Sequence, residues 1–125
     1  MGRYYSGDIE GKFWFAIQSS GDPAFFGLDS IEPEVTTYYG NKEDHLEAVQ
    51  HAVDDCCTKL NTTRENFLKF KEENEYIKVE KMIEEKVIKD IGVRDTQEWL
   101  ARLDLGIKIE KCIEDNDECE FDAEH

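Results

Sequence analysis

From Leu46 to Phe70 one stripe of positions recurs three and four residues apart: Leu46, Val49, Val53, Cys56, Leu60, Thr63, Phe67 and Phe70. Such spacing is a helical a/d seam sustained over nearly four heptads, so this segment needs both a long helix and something to cover its seam. Asn41 is a suitable N-cap, with Lys42, Glu43 and Asp44 in the first turn. Read as continuous from 42 to 74, the helix extends on the order of 50 Å at 1.5 Å per residue. Asn61, Thr62 and Thr63 have poor helix propensity, and a break there into two helices competes with the continuous reading. Two coverings suit the seam. One is an intramolecular groove filled by later helices. The other is a homodimer seam centred on Leu60, Phe67 and Phe70. A 125-residue chain needs its longest helix for its own core, and the polar Cys56 and Thr63 weaken a two-stranded coil, so the first covering is favoured.

The segments before and after it read as follows. Residues 6–40 are β-rich. Ile9, Gly11, Phe13, Phe15 and Ile17 alternate with Glu10, Lys12, Trp14 and Ala16, which predicts a first strand over 8–18. Ser19 to Pro23 is a turn cluster, and Ala24-Phe25-Phe26-Gly27 is a helical turn or an aromatic bend. A second strand is expected over 34–39, forming a hairpin-like pair with the first. A second helix is expected from Glu75 to Ile91, ended by Gly92 at its C′ position. Asp95 then caps a third helix in a capping-box pattern with Glu98, and Gly106 ends or kinks it. Cys119, Phe121 and Ala123 alternate with Glu120, Asp122 and Glu124, which predicts a terminal strand over 119–124 returning to pair with the first. The expected fold is α+β, a single domain over 1–125: a small antiparallel sheet packed on one long helix and two shorter ones.

Charge limits the partners. Thirty Asp and Glu face fifteen Lys and Arg, a net charge of −15. Such a chain repels phosphate backbones and anionic lipid and attracts basic surfaces, so no direct nucleic-acid or membrane binding is expected. Residues 83–105 resemble a helix-turn-helix only superficially, because the reading helix would offer Gln97, Glu98, Arg102 and Asp104 with little net positive charge. Met1 to Ser6 hold no apolar run, and no stretch approaches the roughly 20 apolar residues of a membrane span. The expected compartment is intracellular and reducing, with Cys56, Cys57, Cys112 and Cys119 as free thiols.

Motifs for chemistry are missing. No phosphate-cradling glycine loop, HExxH or nucleophile elbow is present, so no catalysis and no cofactor are expected. The cysteines lack the short spacing of a zinc site. Asp115-Asn116-Asp117 lacks the glycine and terminal Glu of a calcium loop. What remains is surface. Candidate contact residues are Glu10, Lys12 and Trp14 on the first strand, Phe25 and Phe26 at the aromatic turn, and Tyr38 and Tyr39 on the second strand; core packing is the competing reading for each aromatic. Candidate acidic surface residues are Glu43, Asp44, Glu47, Asp54 and Asp55 on the long helix, and Glu114, Asp115, Asp117 and Glu118 near the C-terminus. They fit a module that binds a basic protein surface or another copy of itself. They also fit a DNA mimic, because carboxylates on a helix rising 1.5 Å per residue approach the charge density of duplex DNA, roughly one per 1.7 Å.

The segment Arg3-Tyr4-Tyr5-Ser6-Gly7-Asp8-Ile9-Glu10-Gly11-Lys12-Phe13-Trp14-Phe15, continuing to Gln18-Ser19-Ser20, resembles the opening of uncharacterised small proteins of bacteriophages, large DNA viruses and marine metagenomes. The resemblance extends to Trp99–Gly106 and to the terminal strand. It implies a small viral protein that acts inside an infected cell, and it transfers no catalytic residue. It favours a host-directed binder or inhibitor.

Overall fold

The computed structural model describes residues 3–14, 17–19, 21–31, 36–74 and 77–123, without the side chain of Ile31. Among these residues the strands are β1 (Tyr4–Gly7), β2 (Gly11–Lys12), β3 (Asp29–Ile31), β4 (Thr36–Asn41) and β5 (Glu118–Ala123). The helices among them are α1 (Asp22–Phe25), α2 (Leu46–Leu60), α3 (Arg64–Glu73), α4 (Val79–Glu84) and α5 (Val93–Asn116). The fold is α+β: an antiparallel sheet of order β2-β1-β5-β4-β3 lies against α5 and the shorter helices.

The last strand occupies the centre. β5 pairs with β1 through Tyr5↔Ala123 and Gly7↔Phe121, and with β4 through Tyr38↔Phe121 and Gly40↔Cys119. Its period of two explains the placement: Cys119, Phe121 and Ala123 are buried, while Glu118, Glu120 and Asp122 are exposed. The terminal strand does return to the N-terminal segment, but it pairs with Tyr5–Gly7, ahead of the 8–18 span expected for the first strand. The expected hairpin between the first two strands is absent, because β5 separates β1 from β4.

The first strand is corrected from 8–18 to Tyr4–Gly7, with a two-residue return at β2. Gly7, at φ 143°, bends the chain there, and a Cβ on it would lie 2.7 Å from the Glu120 carbonyl oxygen. Only glycine suits both the dihedral and the approach. Phe13 beyond the hairpin is fully buried and packs 5.1 Å from the Tyr5 ring, so its alternation reports burial without extended pairing. Phe15 and Ala16 lie outside the described residues, as do Glu34 and Val35 of the expected second strand, which is described from Thr36 to Asn41.

The stripe is two helices. Asn61 adopts the left-handed conformation at φ 53°, which asparagine tolerates better than most residues, and it ends α2. Thr63 then starts α3 as an N-cap, its Oγ1 accepting the Asn66 N–H at 3.1 Å. Leu60, Phe67 and Phe70 are 0%, 0% and 3% exposed inside the chain's own core. They are therefore corrected as a dimer seam; the covering is intramolecular, with α5 packed on α2 and all three residues inside the common core.

The long helix is α5, of 24 residues, instead of 42–74. It runs straight through Gly106, against which the buried Phe26 ring lies. The expected helix 75–91 shortens to α4, because Lys86 turns left-handed at φ 61° and the chain folds back so that the Lys89 N–H meets the Leu60 carbonyl at 2.7 Å. Glu75 and Tyr76 lie outside the described residues. Gly92 opens α5 instead of closing the helix before it, and Thr96, in place of Asp95, ties down the entry by accepting the Ile91 N–H at 3.0 Å. Asn41 caps a turn ahead of α2, its Oδ1 accepting the Asp44 N–H at 2.6 Å, and the helix itself starts at Leu46.

Candidate functional site

One face of the sheet is packed and the other is wet. On the wet face β5 presents Glu118, Glu120 and Asp122, all exposed. Opposite them on β4 stand Asn41, Tyr39 and Thr37 in register, and Ser6 on β1 stands opposite Asp122. None of these neighbours is basic. Cross-strand pairs of opposite charge stabilise a sheet, yet this central row of carboxylates faces only an amide and hydroxyls. The Tyr39 hydroxyl donates to Glu118 Oε2 at 3.3 Å, and Thr37 Oγ1 donates to Asp122 Oδ1 at 2.7 Å. At the margins, Lys12 sits over the exposed Tyr4 ring at 5.8 Å, Lys42 reaches Asp117 at 3.7 Å, and His45 lies 3.2 Å from Asp29.

Acidity continues around one end of the sheet. Glu114 and Asp115 occupy the last turn of α5, where the helix dipole is negative and no basic residue stands in that turn. Lys111 reaches Asp115 from a turn earlier at 3.2 Å. Glu43, Asp44, Glu47, Asp54 and Asp55 are exposed on α2 and the turn before it. Asp54 is engaged by Arg64, which also holds the buried Glu110 at 2.7 Å and ties α3 to α2 and α5.

The contact candidates divide. Glu10 and Lys12 are exposed at the β1–β2 hairpin, Tyr39 is half-buried on the wet face, and Phe25 is 40% exposed. Phe26 and Tyr38 are corrected: they are 1% and 4% exposed, because Phe26 packs against Gly106 of α5 and Tyr38 against the Phe121 ring under the sheet. Trp14 is half-buried and its backbone N–H donates to Gln18, away from the carboxylate row. Tyr4 and Asp29 carry no site signal in the sequence; the register alone brings them to the wet face. A second polar cluster, Gln18, Asp22, Glu98 and Arg102 between α1 and α5, had no sequence signal, since its members are spread over eighty residues.

The thiols are interior. All four cysteines are buried and unpaired by disulfide, and the Cys112 thiol donates to the Glu118 carbonyl at 3.7 Å. Burial pushes Cys56 up to about 12, with its neighbour Cys57 adding to the shift. Burial likewise raises Cys57, Cys119 and the Tyr5 phenol. Groups held neutral by the fold stabilise it fully below their unfolded values and lose that contribution as pH climbs through the folded ones. Denaturant melts are therefore expected to show stability falling between the ordinary thiol value of 9.0 and about 12. In native buffer near pH ~8, iodoacetamide should leave Cys56 and Cys119 unmodified by mass spectrometry, whereas denaturant should expose both.

Among the described residues no three His, Cys, Asp or Glu side chains gather as metal ligands, and no helix is long and apolar enough to cross a membrane. No family model, curated protein or solved structure matches the chain.

Proposed function

We propose that this chain is a non-catalytic interaction module that takes a basic protein surface on the wet face of its sheet. The observation that carries the reading is the Glu118, Glu120 and Asp122 row on the central strand, with no basic residue opposite it in register. Alternate residues on an extended strand lie about 6.8 Å apart, so Glu120 lies within a Debye length of about 8 Å of each neighbouring carboxylate and is repelled by both. Approach of lysine or arginine side chains relieves that repulsion. Each exposed pair contributes only about 0–1 kcal/mol, so affinity requires several together and an anchor. Tyr4 and Tyr39 flank the row as aromatic anchors that stack on arginine. The resemblance of residues 3–20 to viral proteins makes a host protein the partner we favour.

DNA mimicry is the second reading. Asp44, Glu47 and Asp54 follow one another along the exposed side of α2 and the turn before it, and give a second row of carboxylates. A mimic captures a nucleic-acid-binding protein, and duplex DNA displaces it.

The test compares the wild-type chain with a variant carrying Glu118→Gln, Glu120→Gln and Asp122→Asn. The variant is expected to melt no lower, since like charges have been removed. Wild type should retain a basic partner at low salt and release it as salt rises. The variant should fail to retain it, and the β5 amide resonances should move on binding. Capture that survives the triple substitution sinks the proposal; displacement by duplex DNA selects the mimic.

A further inference from the structure

A cleft of about 310 Å³ opens between α1 and the first half of α5, at the small end of the range for ligand sites. Its polar lining is Gln18, Ser19, Asp22, Arg94, Glu98 and Arg102. Arg94, Glu98 and Arg102 follow one another by four residues on one side of α5. Gln18 is pinned at both ends of its amide: Oε1 accepts the Trp14 N–H at 3.1 Å, and Nε2 donates to the Ala101 carbonyl at 3.3 Å.

Two features set this cleft apart from a surface dent. The first is Arg102. Its guanidinium lies 4.8 Å from the Trp99 ring centroid and 5.2 Å from that of Phe25. Nε points to Asp22 Oδ1 at 3.4 Å, and among the described residues the two terminal nitrogens meet no acceptor. A planar donor fork held by aromatic rings with its end open is ready for a carboxylate. The second is Asp22, whose side chain is only 7% exposed. In a chain that keeps nearly all its carboxylates in water, this one is held at the cleft wall. Burial raises its carboxyl above the usual range, more than Arg102 draws it back. Ionised Asp22 therefore costs the fold stability, and its contribution is most favourable below the ordinary carboxyl value and declines as pH rises.

Among the described residues the wall carries two guanidinium groups and two carboxylates. A simple anion meets Asp22 and Glu98, and a simple cation meets Arg94 and Arg102. A molecule with both charges satisfies the wall. We infer that the cleft between α1 and α5 is a binding site for a small zwitterion of the α-amino-acid class, its carboxylate on Arg102 and its ammonium on Asp22 and Glu98. This site is distinct from the carboxylate row on β5 and does not rest on it.

The test follows amide resonances of the full chain while L-α-amino acids are added singly at millimolar concentration, with acetate and ethylamine as one-charge controls. At least one amino acid should move the resonances of Gln18, Asp22, Glu98 and Arg102, and neither control should match it. Glu98→Gln and Arg102→Lys should each weaken that response about tenfold or more, because each removes a charge-assisted contact. Among the described residues Glu98 pairs only with the exposed Arg94, so its variant remains folded even if that of Arg102 does not. Asp22→Asn should melt no lower than wild type while losing the response. The β5 triple variant should keep it. An absent response to every amino acid, an equal response to either control, or indifference to Glu98→Gln overturns the assignment.

Discussion

Phe121→Ala is expected to lower stability by about 3–5 kcal/mol, a loss to be read from denaturant midpoints at constant slope. Phe121 is 1% exposed on the central strand, between the Tyr5 ring at 5.8 Å and the Tyr38 ring at 5.7 Å. It touches residues from both neighbouring strands, so truncation opens a cavity under the sheet and loosens β1 and β4 together. Domains of this size hold only about 5–15 kcal/mol in total, so the variant should sit near the edge of folding. Phe121→Leu keeps much of the volume and should lose less than half as much. A loss for Phe121→Ala no larger than that of an exposed substitution would show that the centre of the sheet lies elsewhere.

Gly106→Leu is the second large effect. A Cβ at this position would lie 2.4 Å from Phe26 Cε1, 2.6 Å from Cζ and 3.1 Å from Val53 Cγ2. The Phe26 ring is 1% exposed and boxed by Phe25 at 5.1 Å, so it has little room to retreat. Overpacking of this kind costs about 1–3 kcal/mol and more when the ring is fixed. Gly106→Ala removes a residue that weakens helices by about 1 kcal/mol, and that gain offsets part of its smaller clash. The decisive measurement is a double-mutant cycle. Phe26→Ala should be harmful alone yet recover part of the loss in Gly106→Leu, with a coupling of about 1–3 kcal/mol. Simple additivity would separate the two residues.

The same pair shows how far sequence reading reached. Gly106 read as a helix end or kink, because glycine has poor propensity. The structure keeps the helix intact through it, since the Phe26 ring, eighty positions earlier in the chain, occupies the space a side chain would take. Asn61 went the other way. The continuous stripe argued for one helix, and the local chemistry of Asn61 and Thr63 argued for two; capping prevailed because both helices still turn their apolar residues into one core. Leu60, Phe67 and Phe70 were correctly apolar and inward, but whether inward meant another copy or the same chain was a matter of what stood opposite.

The candidate surface was half legible. Glu118, Glu120 and Asp122 announced their exposure through alternation with Cys119, Phe121 and Ala123. Their neutral neighbours could not be foreseen, because register depends on β4 and β1 residues distant in sequence. Phe26 and Tyr38 were apolar enough for either surface or core, and packing decided. The cleft at Asp22 was invisible: an acidic residue in a turn cluster reads as solvent-exposed until α5 lays Arg102 and Glu98 beside it.

The sequence by itself determined which side of each segment turns inward, since periods of 2 and 3.6 are properties of the local backbone. It also determined the sign of the surface charge. Only the tertiary structure decided that the last strand is the centre of the sheet, that the longest helix is α5, and that one carboxylate row is left without basic neighbours. Those outcomes depend on side chains far apart along the chain meeting at particular distances, and no local preference encodes such a meeting.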